Sequence, residues 1–122
     1  MAENTCVWFE IPVTDIQKGR DFYAAVLGRD LQIIDEEPNP MVPLTNMADD
    51  GVSGHLYPGK PATDGNGPSL HLAAPASLSE TADRVRKAGG EVLSDPIEIP
   101  FGSFFYAMDP DGNSLGFFEP KG

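Results

Sequence analysis

The chain has 122 residues, 40% of them hydrophobic, with 13 Gly and 12 Pro dispersed among apolar runs; that is enough for one core without covalent staples and reads as a turn-rich globular domain. Eight Lys+Arg against 19 Asp+Glu give a formal charge of −11, and no basic stripe could neutralise a row of phosphates, so nucleic acid is excluded as an expected partner. The same field repels anionic lipid, and no apolar stretch nears the roughly 18 residues of a membrane span.

No basic segment followed by a long apolar run opens the chain, so a cytoplasmic location is expected. Cys6 is the one cysteine. With no internal partner, it is expected to be a small buried hydrophobe in the run Cys6-Val7-Trp8-Phe9.

In chain order, Val7 to Val13 reads as a strand, and Ile16, Gly19, Phe22, Tyr23, Val26 and Leu27 recur at helical spacing. Thr14 or Asp15 can cap that helix, and Gly28 supplies the left-handed stop. Leu31 to Ile34 is a short strand, and residues 36–40, rich in Pro, are a loop. Met41 to Met47 and Ser53 to Tyr57 are two further strands, divided by the turn signal Asp49-Asp50-Gly51. The order is βαβββ.

Residues 59–68 carry Gly, Pro and polar residues throughout, the composition of an exposed connection. The pattern then begins again. Ser69 to Ala74 is a strand; Leu78, Thr81, Ala82, Val85 and Ala88 share a helical face behind the N-cap Ser77; Gly89-Gly90 ends the helix. Glu91 to Ser94 and Phe101 to Met108 are strands, and Asp109-Pro110-Asp111-Gly112-Asn113 turns into Leu115 to Glu119. Adding 61 carries Asp50-Gly51 onto Asp111-Gly112, and adding 62 carries Ile16 onto Leu78 and Gly28 onto Gly90. A duplicated unit follows. The expected architecture is one α+β domain over 1–122, with a first module at about 6–58, a linker at 59–68 and a second module at about 69–120. A mixed sheet shielded by one helix on one face must close its other face, which makes a cup.

The ordered combination of Phe9-Glu10-Ile11-Pro12-Val13-x-Asp15-Ile16, Phe22-Tyr23-x-x-Val26-Leu27-Gly28, Ala88-Gly89-Gly90 and Asp109-Pro110-Asp111-Gly112-Asn113 resembles the vicinal-oxygen-chelate superfamily of glyoxalases, bleomycin-resistance proteins and extradiol dioxygenases. The likeness spans nearly the whole chain. It implies two tandem βαβββ modules in a cupped mixed sheet, a small-molecule ligand and a homodimer, in which a pocket can be shared between chains. Members typically hold a divalent metal with side chains of the first and last strands of each module. Those four places fall here on Trp8, His55, Ser69 and Gly116. Trp and Gly offer no donor atom, Ser a poor one, and a lone imidazole does not retain a catalytic ion. The usual metal centre is therefore expected to be missing, and no other cofactor is expected.

A strand period of two puts Glu10 on the face of Trp8, and His71 on the face of Ser69. If the first strands of the two modules run side by side, as the resemblance implies, Glu10 and His71 meet as a carboxylate–imidazole acid–base pair. The alternative is a polar pair at the module seam. His55, Tyr57 and Tyr106 are further candidate ligand contacts, and Trp8 a candidate aromatic floor; Phe101, Phe104, Phe105, Phe117 and Phe118 are expected mostly in the core. A calcium loop at Asp109 is disfavoured because Pro120 stands where its bidentate Glu belongs. Three readings of function follow. The leading one is a glyoxalase-like protein binding a small organic molecule without the usual metal, with catalysis open. The second is a metal-dependent lyase, isomerase or dioxygenase using His55, His71 and Glu10 as a displaced ligand set. The third is a drug-sequestering resistance protein, whose salt-sensitive affinity for cations the charge would favour.

Overall fold

The computed structural model describes residues 5–35, 39–45 and 51–121. Its strands are β1 (Phe9–Val13), β2 (Val42–Pro43), β3 (Gly54–Pro58), β4 (Leu70–Ala73), β5 (Glu91–Val92), β6 (Ile97–Ile99), β7 (Gly102–Met108) and β8 (Ser114–Pro120), with helices α1 (Ile16–Leu27) and α2 (Leu78–Lys87). β1 pairs in parallel with β3, and β2 lies antiparallel on the far side of β3. The second module repeats this as β4-β8-β7-β5, with β4 and β8 parallel. The mixed α+β class and the tandem modules are as the sequence predicts.

Local chemistry sets the helix ends. Asp15 accepts from the amides of Gln17 and Lys18, which start α1 with no intrahelical acceptor of their own, and Gly28 closes the helix at φ +66°. Ser77 does the same for α2 by accepting from Glu80 N. Each helix presents one apolar stripe: Phe22, Tyr23 and Val26 on α1, Leu78 and Val85 on α2. Strand alternation supplies the other half of the core. Ile11 and Val13 of β1, Leu56 of β3, Leu72 of β4, Phe105 and Ala107 of β7, and Leu115 and Phe117 of β8 are all buried. Full burial of a side chain of this size stabilises by about 1.5–3 kcal/mol. The register agrees, since Ile11 faces Leu56 and Leu72 faces Phe117. The strand neighbours of these residues consequently point away from the helices.

The two modules are joined around the turn at Asp109. Its carboxylate, 4% exposed, accepts from the amides of Asp111 and Asn113, from Asn113 Nδ2, and from the Tyr23 hydroxyl of the first module at 2.7 Å. Asn113 Nδ2 also donates to the Pro12 carbonyl, and Thr14 donates through both its amide and its hydroxyl to the Asp111 carboxylate. Burial, reinforced by Asp109, pushes the Tyr23 hydroxyl well above its usual range. The turn thus acts as a clasp, and Asp109 is spent on hydrogen bonds instead of on a cation.

Several expectations change. Leu31 to Ile34 forms only an isolated bridge, Ile34 to Met41. The segment after Ser94 folds back as β6 against the first half of β7, a strand absent from the predicted order because a three-residue run between Pro96 and Pro100 has no readable period. Cys6 is exposed, since β1 begins only at Phe9. Phe101 is 77% exposed at the β6–β7 turn, and Phe104 and Phe118 are half-buried; Phe105 and Phe117 alone of that group enter the core. The turn at residues 49–51 and the loop at 36–40 fall partly outside the described residues. Among the described residues no helix is long and apolar enough to cross a membrane.

Candidate functional site

Strand alternation leaves each module with one face that no helix covers. On the first module Trp8 precedes β1, Glu10 lies within it, and His55 and Tyr57 project from β3 to the same side, because Glu10 and His55 are direct cross-strand partners. The Trp8 indole Nε1 donates to His55 Nδ1 at 2.8 Å, and His55 Nε2 stands 3.4 Å from Glu10 Oε2. Tyr57 sets its ring edge-on to His55, centroids 6.4 Å apart.

On the second module the ladder aligns His71, Gly116 and Tyr106 in one row across β4, β8 and β7, and Ala73, Phe118, Phe104 and Ile97 in the next, across β4, β8, β7 and β6. His71 meets Phe104 and Tyr106 edge-on at centroid distances of 5.0 and 5.9 Å, and Phe104 and Tyr106 meet at 5.2 Å. Gly116 is the seat of this arrangement. A Cβ there would collide with the His71 ring, so the imidazole lies directly over the β8 backbone and buries it. Among the described residues His71 makes no hydrogen bond, and neither phenol, of Tyr57 or of Tyr106, makes one. These are groups with unspent capacity on an aromatic surface.

Glu10 and His71 do not form the expected pair. β1 and β4 are edge strands of separate sheets, with no ladder between them, and Glu10 meets His55 of its own module instead. Glu10 borders a cleft of about 250 Å³ with Pro12, Lys60, Leu70 and Ser114, whereas His71 borders another of about 440 Å³ with Phe9, Ser53 and Ala73. The displaced ligand set of His55, His71 and Glu10 is likewise not assembled: among the described residues no three His, Cys, Asp or Glu side chains gather at metal-binding spacing. The four places at which relatives hold a metal do not fit one either. Trp8 and Gly116 bring no donor atom for a metal, the Ser69 hydroxyl is engaged with that of Ser114, and the one imidazole already accepts a hydrogen bond from an indole.

Phe104 and Phe118 belong to this surface but were expected in the core, and Gly116 belongs to it in a role other than the metal position that the resemblance gave it. The period of two relative to buried Phe105 and Phe117 carries the signal for the two phenylalanines. That Gly116 seats the His71 ring follows only from the β4–β8 register.

Residues 5–117 match the family described as Glyoxalase/Bleomycin resistance protein/Dioxygenase superfamily. No curated protein matches the sequence. Among solved structures, the chain is similar to a glyoxalase/bleomycin resistance protein from Albidiferax ferrireducens (22% identity, 97% of this chain and 100% of that one, TM-score 0.68). It is also similar to a glyoxalase/bleomycin resistance protein/dioxygenase family enzyme from Burkholderia phytofirmans (16%, 93% and 97%, TM-score 0.70). A third is TnmS3, an antibiotic binding protein from Streptomyces (24%, 99% and 99%, TM-score 0.62). Likeness at this level of identity is a likeness of fold.

Proposed function

Because this chain belongs to the glyoxalase/bleomycin resistance protein/dioxygenase superfamily, we propose that its open faces bind a small organic molecule with a flat, apolar body, without help from a divalent metal. The observation that carries this reading is the His71 imidazole: seated over Gly116, walled by Phe104 and Tyr106, and free of hydrogen bonds among the described residues. Rings stack on such a wall at about 0.5–1.5 kcal/mol per pair beyond their buried area. One oriented imidazole adds a directional contact, and Tyr57, Tyr106 and Glu10 supply further polar ends. His71 is also placed to take a proton from a bound molecule, which is how binding would extend to catalysis of the lyase or isomerase kind.

Sequestration without chemistry is the second reading, favoured by the antibiotic-binding relative of the same fold and by the charge of −11, which would draw in cationic compounds. A second copy of the chain is the proposed partner. Trp8, Leu93, Ile97, Phe101 and Tyr106 leave more apolar surface in water than a solitary domain of this size usually does, and sedimentation would detect the dimer.

Trp8 is the one tryptophan, so its fluorescence reports on the first face directly. Calorimetric titration with a panel of planar aromatic compounds, which reads binding at either face, should give a saturable heat for at least one member. His71→Ala should weaken that affinity about tenfold, equal to about 1.4 kcal/mol. A panel that gives no saturable heat, or a His71→Ala variant that binds as well as the parent, would overturn the reading. Product formation on prolonged incubation separates an enzyme from a sequestering protein.

A further inference from the structure

The two histidines of the chain are in opposite chemical states of engagement. An indole N–H can only donate. The 2.8 Å contact from Trp8 Nε1 therefore requires His55 Nδ1 to be the bare, accepting nitrogen, and the ring proton must sit on Nε2, where Glu10 Oε2 is 3.4 Å away. Nδ1 is then committed to the indole, while among the described residues neither nitrogen of His71 is hydrogen-bonded.

We propose that Trp8 is a positioning residue that locks His55 as the Nε2–H tautomer. In doing so it withdraws from chelation the one imidazole at the family's metal positions and leaves the ring proton on Nε2, the nitrogen 3.4 Å from Glu10 Oε2. The geometry gives each partner a distinct task. Trp8 stands at the place where a relative's first-strand ligand would be, so the side chain that replaces a ligand also occupies the lone pair of the remaining one. The Glu10 carboxyl beside it, 59% exposed, is the acceptor this face offers to a ligand. His71 does not share in this arrangement, because Glu10 of β1 pairs with His55 of β3, whereas His71 of β4 pairs with Gly116 of β8. The lock builds on the reading of these faces as the ligand site only for its use. Its chemistry exists in the free protein and is tested there.

The test is long-range 1H–15N correlation on the full ¹⁵N-labelled chain, whose two imidazoles are told apart by a His71→Ala sample. The expected spectrum has His55 with a protonated Nε2 and an unprotonated, accepting Nδ1. It also has a Trp8 indole proton shifted downfield and slow to exchange. Trp8→Phe should convert the His55 pattern to an average of both tautomers. One equivalent of Zn²⁺ should leave the parent's His55 signals in place. A parent His55 that is Nδ1-protonated or already averaged, a Trp8→Phe spectrum identical to the parent's, or stoichiometric Zn²⁺ shifts at His55 would each overturn the proposal. The parent spectrum decides the tautomer even if the Trp8 variant fails to fold, and the outcome is independent of whether any aromatic compound binds.

Discussion

Replacing Tyr23 by Phe isolates one bond in the clasp between the modules. The ring is wholly buried and packs edge-on against Phe22 at 4.9 Å, so Phe fills the same space and only the hydroxyl is lost. A hydrogen bond to a charged group contributes about 1.5–3 kcal/mol. Asp109 keeps three other donors, from the Asp111 amide, the Asn113 amide and Asn113 Nδ2, so its charge remains compensated and the loss falls in the lower half, about 1.5–2 kcal/mol. With a urea m-value of about 1.5–2 kcal/mol/M for a domain of this size, the midpoint should move down by about 1 M at pH 7 with the slope unchanged. The pH dependence supplies a second check. The folded-state pKa of Tyr23 is raised well above 10, first by burial and then by Asp109. Its contribution is therefore complete below the unfolded value, about 10, and is lost as pH rises from there toward the folded one. In that alkaline window the parent loses about 1.4 kcal/mol per pH unit through this group, and the Phe variant does not, so the gap between them narrows. A midpoint within 0.3 M of the parent, or curves that fall in parallel above pH 10, would refute the reasoning.

Gly116→Ala should drive the His71 ring off the β8 backbone, lowering stability by about 1–3 kcal/mol and weakening ligand binding as His71→Ala does; chemical denaturation and calorimetric titration measure the two effects. Phe105→Ala and Phe101→Ala form a contrast. The first empties a buried site at about 3–5 kcal/mol, whereas the second, at a 77% exposed residue, should stay within about 0.5 kcal/mol, and paired urea melts show whether that order holds. Asp15→Ala strips the acceptor from the amides of Gln17 and Lys18 and should cost about 1 kcal/mol, with faster amide exchange confined to the first turn of α1.

How much of this was legible depended on the range of the interaction involved. Helix limits at Asp15, Gly28 and Ser77 are written in contacts spanning two to four residues, and the structure keeps them. The faces of Trp8, Glu10, Ser69 and His71 follow from a period of two within one strand. Register across strands does not: that Glu10 opposes His55, and His71 opposes Gly116, is set by turn lengths and strand offsets. The expected meeting of Glu10 with His71 needed β1 and β4 to share a ladder, which neither edge forms with the other. Phe104 and Phe118 show the same limit. An aromatic run of Phe104-Phe105 and Phe117-Phe118 announces burial, but which member of each pair turns inward is decided by the neighbouring strand. The lock at His55 is a third case. Residue types show that a metal set is incomplete, whereas only coordinates show an indole filling the vacant role.

The clasp at Asp109 also bears on how far the polypeptide must be continuous. Its bonds to Tyr23, Pro12 and Thr14 bridge 86 to 101 positions of sequence without passing through residues 59–68. Cutting the backbone within that exposed stretch, or moving the ends there by circular permutation, should leave two halves that find each other and reassemble. The halves carry complementary ends of one buried polar junction, so neither should be stable alone. The peptide link keeps the partners at high local concentration and adds one bond of its own, from the Gly65 amide to the Gly112 carbonyl of the same turn.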